Sequence, residues 1–289
     1  MKNYLLSLAL SLGALAIFFG CACATEPEEI VVMSFNIRFD NPGDGENRWK
    51  LRCKAAVECI EDYAPGIIGI QEALVSQVEY LEKALPNYVR VGVGRDDGAT
   101  QGEYAAIFYD AERFELLWWE NNWLSETPEI PSLGWDAVCK RVVTHIILRD
   151  KSCGRKIHAI NTHFDHVGKQ ARIESAKMIL EKIEAAGDDA VVFTGDLNEM
   201  HGSETINTLL DSGLLRDSYN DAQCHKGATY SFHAFRGESL SEGATVIDYV
   251  MFNKQLKARE NITVSKKYRD RVVSDHYPIV ARLKYADVE

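Results

Sequence analysis

The feature that most constrains this fold is a set of short apolar runs, each flanked by an amide, carboxylate or imidazole side chain. Apolar runs of roughly four to eight residues bounded by turn formers predict buried β-strands. The polar residues beside these runs are Asn36, Glu72, His163, Asp196 and the pair Asp275-His276. A single polar residue at a strand end is weak evidence for a functional site, because it can stay close to solvent. Five such ends predict a single polar rim on which the strands converge.

Two of these stretches carry the most suggestive chemistry. The segment Gly195-Asp196-Leu197-Asn198 sets a carboxylate and an amide just after the apolar run 190–193. Such oxygens can hold a hard cation or a water and also contact a phosphate. Ser274-Asp275-His276 puts an imidazole beside a carboxylate, ahead of the apolar run 278–281. Taken singly, the first also fits an ordinary turn and the second a strand cap.

The chain resembles the endonuclease/exonuclease/phosphatase superfamily in seven blocks that occur in the family's order. They are Phe35-Asn36, Gln71-Glu72, Gly102-Glu103-Tyr104, Asn161-Thr162-His163, Gly195-Asp196-Leu197-Asn198, Ile247-Asp248-Tyr249 and Ser274-Asp275-His276. That superfamily includes deoxyribonuclease I, exonuclease III, inositol polyphosphate 5-phosphatases, neutral sphingomyelinases and deadenylases. The resemblance covers about residues 30–285. It is specific for the superfamily and not for a substrate.

The resemblance implies an α/β fold in which two packed mixed β-sheets are flanked by helices, a four-layered α/β/β/α sandwich. The order of the predicted elements agrees, because neighbouring strands predominate in the middle of the chain and each third of the chain contains a helix. With 46% hydrophobic and 26% charged residues, the composition is that of a globular domain. No repeat or Pro/Gly/Ser-rich linker divides it, so we expect one domain over residues 25–289.

Hydrophobic periodicity predicts four helices and eleven strands. Helices are expected near 48–63, 76–85, 169–186 and 203–211. Strands are expected near 31–37, 67–71, 88–92, 104–109, 114–119, 141–148, 156–163, 190–194, 229–232, 246–252 and 278–285, with an irregular stretch at 124–140.

The resemblance assigns metal ligands and catalytic groups to the predicted rim. Glu72 would bind the metal, Asn36 would be an amide ligand or orient a water, and Asp275 would reach the metal directly or through water. Magnesium, or alternatively manganese, suits such oxygen ligands. Glu72 also fits a second interpretation, an acid that stabilises the N-terminus of the following helix.

The remaining candidate residues divide into acid–base groups and phosphate contacts. Asp196 resembles the carboxylate that activates the attacking water, and Asn198 resembles the amide that contacts the phosphate. His276 would donate to a phosphoryl or leaving oxygen while Asp248 holds its other ring nitrogen.

A second pair, His163 and Glu103, is expected to keep its imidazole protonated near neutral pH. Arg141 and Tyr104 would contact the phosphate, with a hairpin-capping Arg and a core Tyr as the alternatives.

The first 24 residues have the pattern of a signal peptide. Lys2 precedes the largely apolar stretch 4–20, and Ala22-Cys23-Ala24 fits a small-x-small cleavage site. We therefore expect an exported protein, periplasmic or secreted, with no transmembrane segment in its mature chain. Lipid anchoring through Cys21 is the alternative. The five later cysteines show no regular spacing, and we expect buried free thiols, with a pair between Cys139 and Cys153 as the other possibility.

The charge balance bears on the substrate. The chain contains 32 Lys and Arg against 43 Asp and Glu, and the leader contributes Lys2 but no acid. A duplex-binding protein commonly presents a basic stripe, and here the nearest candidate is the run 266–271. We therefore expect a monomeric, magnesium-dependent phosphodiesterase or phosphatase acting on a small molecule or lipid headgroup by attack of an Asp-activated water. The alternatives are a secreted nuclease and a non-catalytic binding module on the same fold.

Overall fold

Alternating apolar residues along the first strand serve two different cores. In the computed structural model, which describes residues 29–236 and 245–286, Val32 and Met33 are both fully buried. Val32 belongs to a cluster that includes Val192 from the other sheet, whereas Met33 packs with Ile60 from a helix. Because successive side chains of a strand point to opposite faces, this sheet has one face toward a second sheet and one toward helices.

The strands form two mixed sheets. The first contains β1 (Ile30–Asn36), β2 (Ile67–Ala73), β3 (Tyr88–Val91), β4 (Tyr104–Asp110), β10 (Cys224–Gly227), β12 (Leu256–Thr263) and β13 (Ile279–Tyr285). Its order is β10-β12-β13-β1-β2-β4-β3. The second contains β5 (Phe114–Trp123), β6 (Val142–Asp150), β7 (Lys156–His163), β8 (Ala190–Asp196), β9 (Arg216–Asp217) and β11 (Asp248–Phe252). Its order is β5-β6-β7-β8-β11-β9.

Helices cover the outer face of each sheet. The helices are α1 (Trp49–Tyr63), α2 (Val75–Ala84), α3 (Lys169–Ala185), α4 (Glu204–Asp211) and the single turn α5 (Ser218–Asp221), with a 3-10 segment at Pro42–Asn47. The first two share a core cluster with β1, β2 and β4, and α3 and α4 share one with β7 and β8. The four-layered α/β/β/α sandwich is thereby confirmed.

Strand register brings the polar ends to one rim. β1 runs parallel to β2, and β7 runs parallel to β8, so each pair ends on the same side. β11 is antiparallel to β8, and its first residue Asp248 stands opposite Asp196, the last residue of β8. His276 comes just before β13, which is antiparallel to β1. The predicted convergence of the strand ends is confirmed.

Beneath this rim, Asn161 joins the two sheets. Its amide nitrogen donates to the Ile70 and Ala106 carbonyls of the first sheet at 2.9 Å each. Its oxygen accepts from Gln71 Nε2 at 2.7 Å and from Thr194 Oγ1 at 3.0 Å. A Cβ on Gly69 would lie 2.0 Å from Thr194 Oγ1, so glycine is required where the sheets approach here. These bonds satisfy every polar atom of a fully buried amide and hold the strand ends in a fixed relation.

Most predicted elements are present, but one predicted strand is absent and one long strand, β12, was not predicted. Residues 229–232 form no strand, since Phe232 makes only isolated bridges to Thr245 and His276. The strand β12 was not predicted, because charged residues and a register shift between Ala258 and Glu260 interrupt its alternation. The hairpin of β6 and β7 and the irregular stretch at 124–140 are confirmed.

The described cysteines are free, but not all are buried. Cys53 and Cys59 are buried, Cys139 is half-buried, and Cys153 and Cys224 are exposed. The expectation of buried thiols is therefore wrong for the last two, which lie at the surface near strand ends. Within residues 29–236 and 245–286, the helices are too short or too polar to cross a membrane. The predicted leader, 1–24, with Cys21, lies outside the described residues.

Candidate active site

A cavity of about 580 Å³ opens on the rim. Its lining combines carboxylates, cations and aromatic rings. The lining residues are Arg38, Phe39, Asp44, Glu72, Arg95, Glu103, Cys139, Arg141, His163, His166, Asp196, Asn198, Phe232, Ala234, Phe235, Ile247, Asp275 and His276. Eight of the eleven predicted site residues are in this set; Asn36 and Asp248 bond to it from below, and Tyr104 lies beside it.

Asn36 links the first two carboxylates of the site. Its Nδ2 donates to Glu72 Oε1 at 2.9 Å and to Asp196 Oδ2 at 2.8 Å. Its Oδ1 accepts from the backbone N–H of Arg38 at 3.0 Å. In this arrangement Asn36 orients carboxylates from both sheets, and its direct ligation of a metal stays a prediction.

The residues present fit a hard divalent cation. One ligand atom each from Glu72, Asp196 and His276 lies within 4.8 Å of the others. Two carboxylates are oxygen donors of the kind that Mg²⁺ and Mn²⁺ prefer. Burial, with the neighbouring charge of Asp248, raises the pKa of Asp196 to about 7, and Glu72 adds to that rise. Negative charge thus accumulates at a buried position where a cation would relieve it.

Backbone conformation aims two of these side chains. Glu72 adopts φ 65° and Asn198 φ 51°, in the left-handed region that non-glycine residues rarely occupy. At Glu72 the pairing of β2 with β4 shifts register between Ile70 and Ala73, which marks a bulge. Bulges re-aim side chains near active sites, and strained residues persist only where surrounding structure holds them.

His276 is held between two aspartates. Its Nδ1 lies 2.8 Å from Asp248 Oδ2, and its Nε2 lies 3.8 Å from Asp196 Oδ2. Burial alone would lower the pKa of His276, but the charge and hydrogen bond of Asp248, with Asp196 and Asp275, raise it to about 10. The imidazole is therefore cationic at neutral pH and can donate from Nε2 toward the cavity.

His163 behaves differently from the prediction. Burial lowers its pKa well below 6.5, and the nearby cations Arg141 and Arg95 lower it further. Asn198 Nδ2 lies 3.0 Å from its Nε2, and Glu103 Oε2 is 3.8 Å from its Nδ1, beyond hydrogen-bond distance. The expectation of a protonated His163 is wrong, because desolvation exceeds the effect of a carboxylate that is not in contact.

Glu103 is paired instead with an arginine that the sequence analysis did not select. Arg95 Nη1 contacts Glu103 Oε2 at 2.5 Å. Burial raises the pKa of Glu103 to about 7, opposed by the charges of Arg95 and Arg141. The pair lies beside His163, with Glu103 Oε2 3.8 Å from its Nδ1.

Arg141 is buried and only partly satisfied. It is 4% exposed, and its Nη2 lies 3.1 Å from His166 Nδ1. Its Nε lies 3.5 Å from Asp165 Oδ2, and its Nε and Nη1 have no hydrogen-bond partner within the described chain. A surface, hairpin-capping role is thereby excluded. A buried guanidinium with free donors beside a cavity is suited to an anion.

Two further predicted residues lie beside or within the cavity. The Tyr104 hydroxyl donates to the Ala99 carbonyl at 2.9 Å and so supports the 94–102 loop, and its phosphate contact stays a prediction. Asp275 lines the cavity; it accepts from Ser274 Oγ at 3.1 Å and lies 3.7 Å from Arg38 Nε. Its metal contact stays a prediction.

Sequence reasoning missed the first-strand loop. Arg38 and Asp44 both line the cavity, and Arg52 from α1 is buried beneath them. Arg52 donates to the carbonyls of Asn47 at 2.9 Å, Arg38 at 2.6 Å and Val273 at 3.0 Å, and to Ile37. The local sequence around Arg38 and Asp44 is a run of polar loop residues and does not indicate these contacts. The one sequence feature that could have indicated them is that Arg38 comes two residues after Asn36.

The chain matches a known family over nearly all of its described length. The profile described as "Endonuclease/Exonuclease/phosphatase family" matches residues 33–276. A Bacteroides vulgatus structure of an endonuclease/exonuclease/phosphatase is 37% identical, with a TM-score of 0.86, covering 90% of this chain and 100% of that one. A Bacteroides thetaiotaomicron mannosyl-6-phosphatase is 32% identical, with a TM-score of 0.84, covering 88% of this chain and 99% of that one.

Curated proteins give shorter matches. The Danio rerio tyrosyl-DNA phosphodiesterase 2 is 24% identical over 178 residues, which are 60% of this chain and 42% of that protein. An uncharacterized protein of Acanthamoeba polyphaga mimivirus is 27% identical over 52% of this chain and 59% of its own length. The chain therefore spans about half the length of the curated relatives it matches.

Proposed function

The chain belongs to the endonuclease/exonuclease/phosphatase family, and on that premise we propose that it is an exported, magnesium-dependent hydrolase of small-molecule phosphate esters, with monoesters preferred. One observation carries the proposal. Glu72, Asp196 and His276 converge within 4.8 Å, beside an incompletely satisfied buried Arg141. This arrangement offers a cation site, an acid–base pair and an anion contact in a single cavity.

Glu72 would hold the metal, with Asn36 orienting both Glu72 and Asp196 and Asp275 close by. When bound, Mg²⁺ supplies charge neutralisation on the phosphoryl oxygens. Arg141 would bind another of these oxygens through its free N–H groups. Because the guanidinium is rigid and already desolvated, it binds the anion with little reorganisation.

The proton transfers are assigned to the two groups facing each other across the cavity floor. Asp196 accepts a proton from the water that attacks phosphorus in line, as the bond to the leaving oxygen breaks. His276, kept cationic by Asp248, donates to a phosphoryl oxygen or to the leaving oxygen. Asn198, bonded to His163, faces the same cavity and contacts the phosphate.

Two findings favour a small substrate over nucleic acid. The basic run near the site is largely neutralised: Lys266 contacts Asp62 at 2.8 Å and Arg269 contacts Glu58 at 2.6 Å, both from α1. The net charge of −11 gives no long-range attraction for a polyanion. The similar mannosyl-6-phosphatase, which matches over nearly the whole chain, also favours a monoester.

The test is hydrolysis by the mature chain, residues 25–289, of p-nitrophenyl phosphate, bis-p-nitrophenyl phosphate, sugar phosphates and inositol phosphates with Mg²⁺. We expect monoester turnover that EDTA and Asp196→Asn abolish. Asp188→Asn is the matched control, because that side chain is 93% exposed and remote from the cavity. No turnover by folded, magnesium-binding protein would contradict the proposal and favour a binding module on this fold.

A second candidate is a nuclease or DNA-end phosphodiesterase. The match to the tyrosyl-DNA phosphodiesterase 2 favours it, although that alignment covers a minority of the relative. Cleavage of plasmid or single-stranded DNA at physiological salt, lost in Glu72→Ala, would establish it. Export is tested separately by locating the protein in cell fractions, and labelling with a fatty acid would identify anchoring through Cys21.

A further inference from the structure

The cavity has two ends of different chemistry. At one end lie Arg95, Arg141 and His166, where Arg141 has unpartnered buried N–H groups. At the other lie Arg38 and Asp44, from the loop after β1. Glu72 stands between them: it is 3.9 Å from Arg38, and its charge also reaches Glu103 at the cationic end. A phosphoryl group at the cationic end would leave the rest of the substrate facing the other end.

Arg38 and Asp44 form a paired donor and acceptor. Arg38 Nε contacts Asp44 Oδ2 and Arg38 Nη2 contacts Asp44 Oδ1, each at 3.2 Å. The Asp44 oxygen Oδ1 also accepts from Asn41 Nδ2 at 3.2 Å. Their side chains are 24% and 9% exposed and line the cavity. Two-point pairing fixes both groups in one plane. It does not use Arg38 Nη1, which lies 3.9 Å from Glu72 Oε2, or the second lone pair of Asp44 Oδ2, so one donor and one acceptor remain for a ligand.

Aromatic rings adjoin this pair. The Phe39 ring centre is 4.5 Å from the Arg38 guanidinium carbon, and half-buried Phe235 also lines the cavity. Phe235 follows Ala234, and both adopt left-handed φ, 59° and 48°. The N–H groups of His233 and Ala234 bond the Asp275 carbonyl at 2.9 and 3.2 Å. This segment has two consecutive left-handed residues, and its bonds to the loop before β13 hold it in place at an energetic cost.

We infer that this end binds the alcohol part of the substrate, and that this alcohol is a polyhydroxylated ring, as in a hexose phosphate. The inference rests on the proposed function. A sugar hydroxyl both donates and accepts, which matches the adjoining Arg38 and Asp44. The less polar face of a sugar ring matches the rings of Phe39 and Phe235. A site built to bond hydroxyls strongly rejects an analogue that lacks them, because its own polar groups are then left unpaired.

The experiment compares mannose 6-phosphate with cyclohexylmethyl phosphate, which keeps a six-membered ring and the phosphate ester but has no ring hydroxyl. For the wild-type enzyme with Mg²⁺ we expect kcat/KM at least about a hundredfold higher for the sugar. Asp44→Asn keeps the shape but removes the charge, and it should reduce that ratio about tenfold or more. Phe235→Ala should lower kcat/KM for both ring substrates.

Inhibition by inorganic phosphate distinguishes a specific loss at this subsite from a general disruption of the active site. Phosphate probes only the anion end, so its inhibition constant should change less than threefold in Asp44→Asn. A ratio near one in the wild type, or equal losses for both esters and for phosphate inhibition in Asp44→Asn, would overturn the inference. If p-nitrophenyl phosphate is hydrolysed while the ratio is near one, the inference fails alone. If no ester is hydrolysed, the proposed function fails.

Discussion

Asp248 Oδ2 lies 2.8 Å from Nδ1 of His276, and this contact joins the start of β11 to the loop before β13, across the two sheets. The other oxygen of Asp248 is buried without a hydrogen-bond partner among the described residues. An aspartate so placed fixes the tautomer and orientation of the imidazole and keeps it charged. The relation between these two residues therefore sets the pH range of any acid catalysis by His276.

Replacing Asp248 by Asn should narrow that pH range. The pKa of His276, raised to about 10 mainly by Asp248, keeps the imidazole protonated through pH 8. Without that charge, burial should lower the pKa of His276, opposed only by Asp196 and Asp275, and the imidazole would lose its proton at a lower pH than in the wild type. We expect kcat reduced roughly hundredfold or more at pH 8, with a smaller deficit at pH 6. A pH–kcat profile in Mg²⁺ tests this; parallel profiles for wild type and variant would contradict it.

Arg141 should matter for phosphate binding more than for folding. Arg141→Lys keeps a charge but loses the rigid planar donors, so we expect KM for a phosphomonoester to rise about tenfold, and Arg141→Met to raise it further. Inorganic phosphate should inhibit both variants correspondingly less. Arg149→Met on β6, the strand that follows Arg141, is the control, because that side chain is 47% exposed and is not among the residues that line the cavity. An unchanged KM in Arg141→Met would remove it from the anion site.

Asp196→Asn should raise the stability of the metal-free protein at pH 8 while lowering its activity. The pKa of Asp196 is raised by burial and by Asp248 to about 7, so the folded state binds a proton that the unfolded chain releases near pH 3.8. The contribution of Asp196 to the stability of the metal-free protein should therefore decline as pH rises from about 4 through 7. At pH 8 without metal, Asp196→Asn should melt several degrees above wild type while losing about a thousandfold or more of kcat. Thermal melts with and without Mg²⁺ test this, and Mg²⁺ should stabilise the wild type more.

Arg52 offers a test of how the rim is held together. Its buried guanidinium bonds four backbone carbonyls in three segments and has no carboxylate in contact. Arg52→Met removes all of these bonds, and only the Arg38 carbonyl keeps another side-chain donor, Gln77 Nε2 at 2.9 Å. We therefore expect about 3 kcal/mol or more of lost unfolding free energy by urea denaturation. Lys54→Met on the exposed side of the same helix should change it by less than about 0.5 kcal/mol. Equal effects of the two substitutions would contradict the role given to Arg52.

The sequence predicted the rim well because each member carries a local signal, a polar residue at the end of an apolar run. It could not predict Arg95 or Asp44, whose positions depend on how two loops fold over the strand ends. The pKa of His163 was misjudged for a related reason: burial and two cations from distant segments outweigh a carboxylate that the sequence placed nearby. Strand register is the other feature that the sequence did not show, since the bulge in β12 breaks the two-residue period that would otherwise have indicated this strand.

A buried histidine pair away from the cavity should make the fold sensitive to acid. His145 Nε2 lies 3.0 Å from His158 Nδ1 on the outer face of the second sheet. Burial, with the charges of His158 and Lys182, lowers the pKa of His145 to about 3, and burial lowers that of His158. Below pH 6.5 the unfolded chain therefore binds protons at these two histidines that the folded chain does not, and their contribution to stability is lost as pH drops toward 3.

For His145 alone, the loss between pH 7.5 and 5.0 should be up to about 2 kcal/mol. His145→Gln should flatten the pH dependence of unfolding free energy over that interval, even if it lowers stability at pH 7.5. His225→Gln, at an exposed position, should leave the slope as it is. The measurement is urea denaturation of the three proteins at both pH values. A wild-type slope that His145→Gln does not reduce would show that this pair takes up no proton on unfolding, and that other groups set the acid limit.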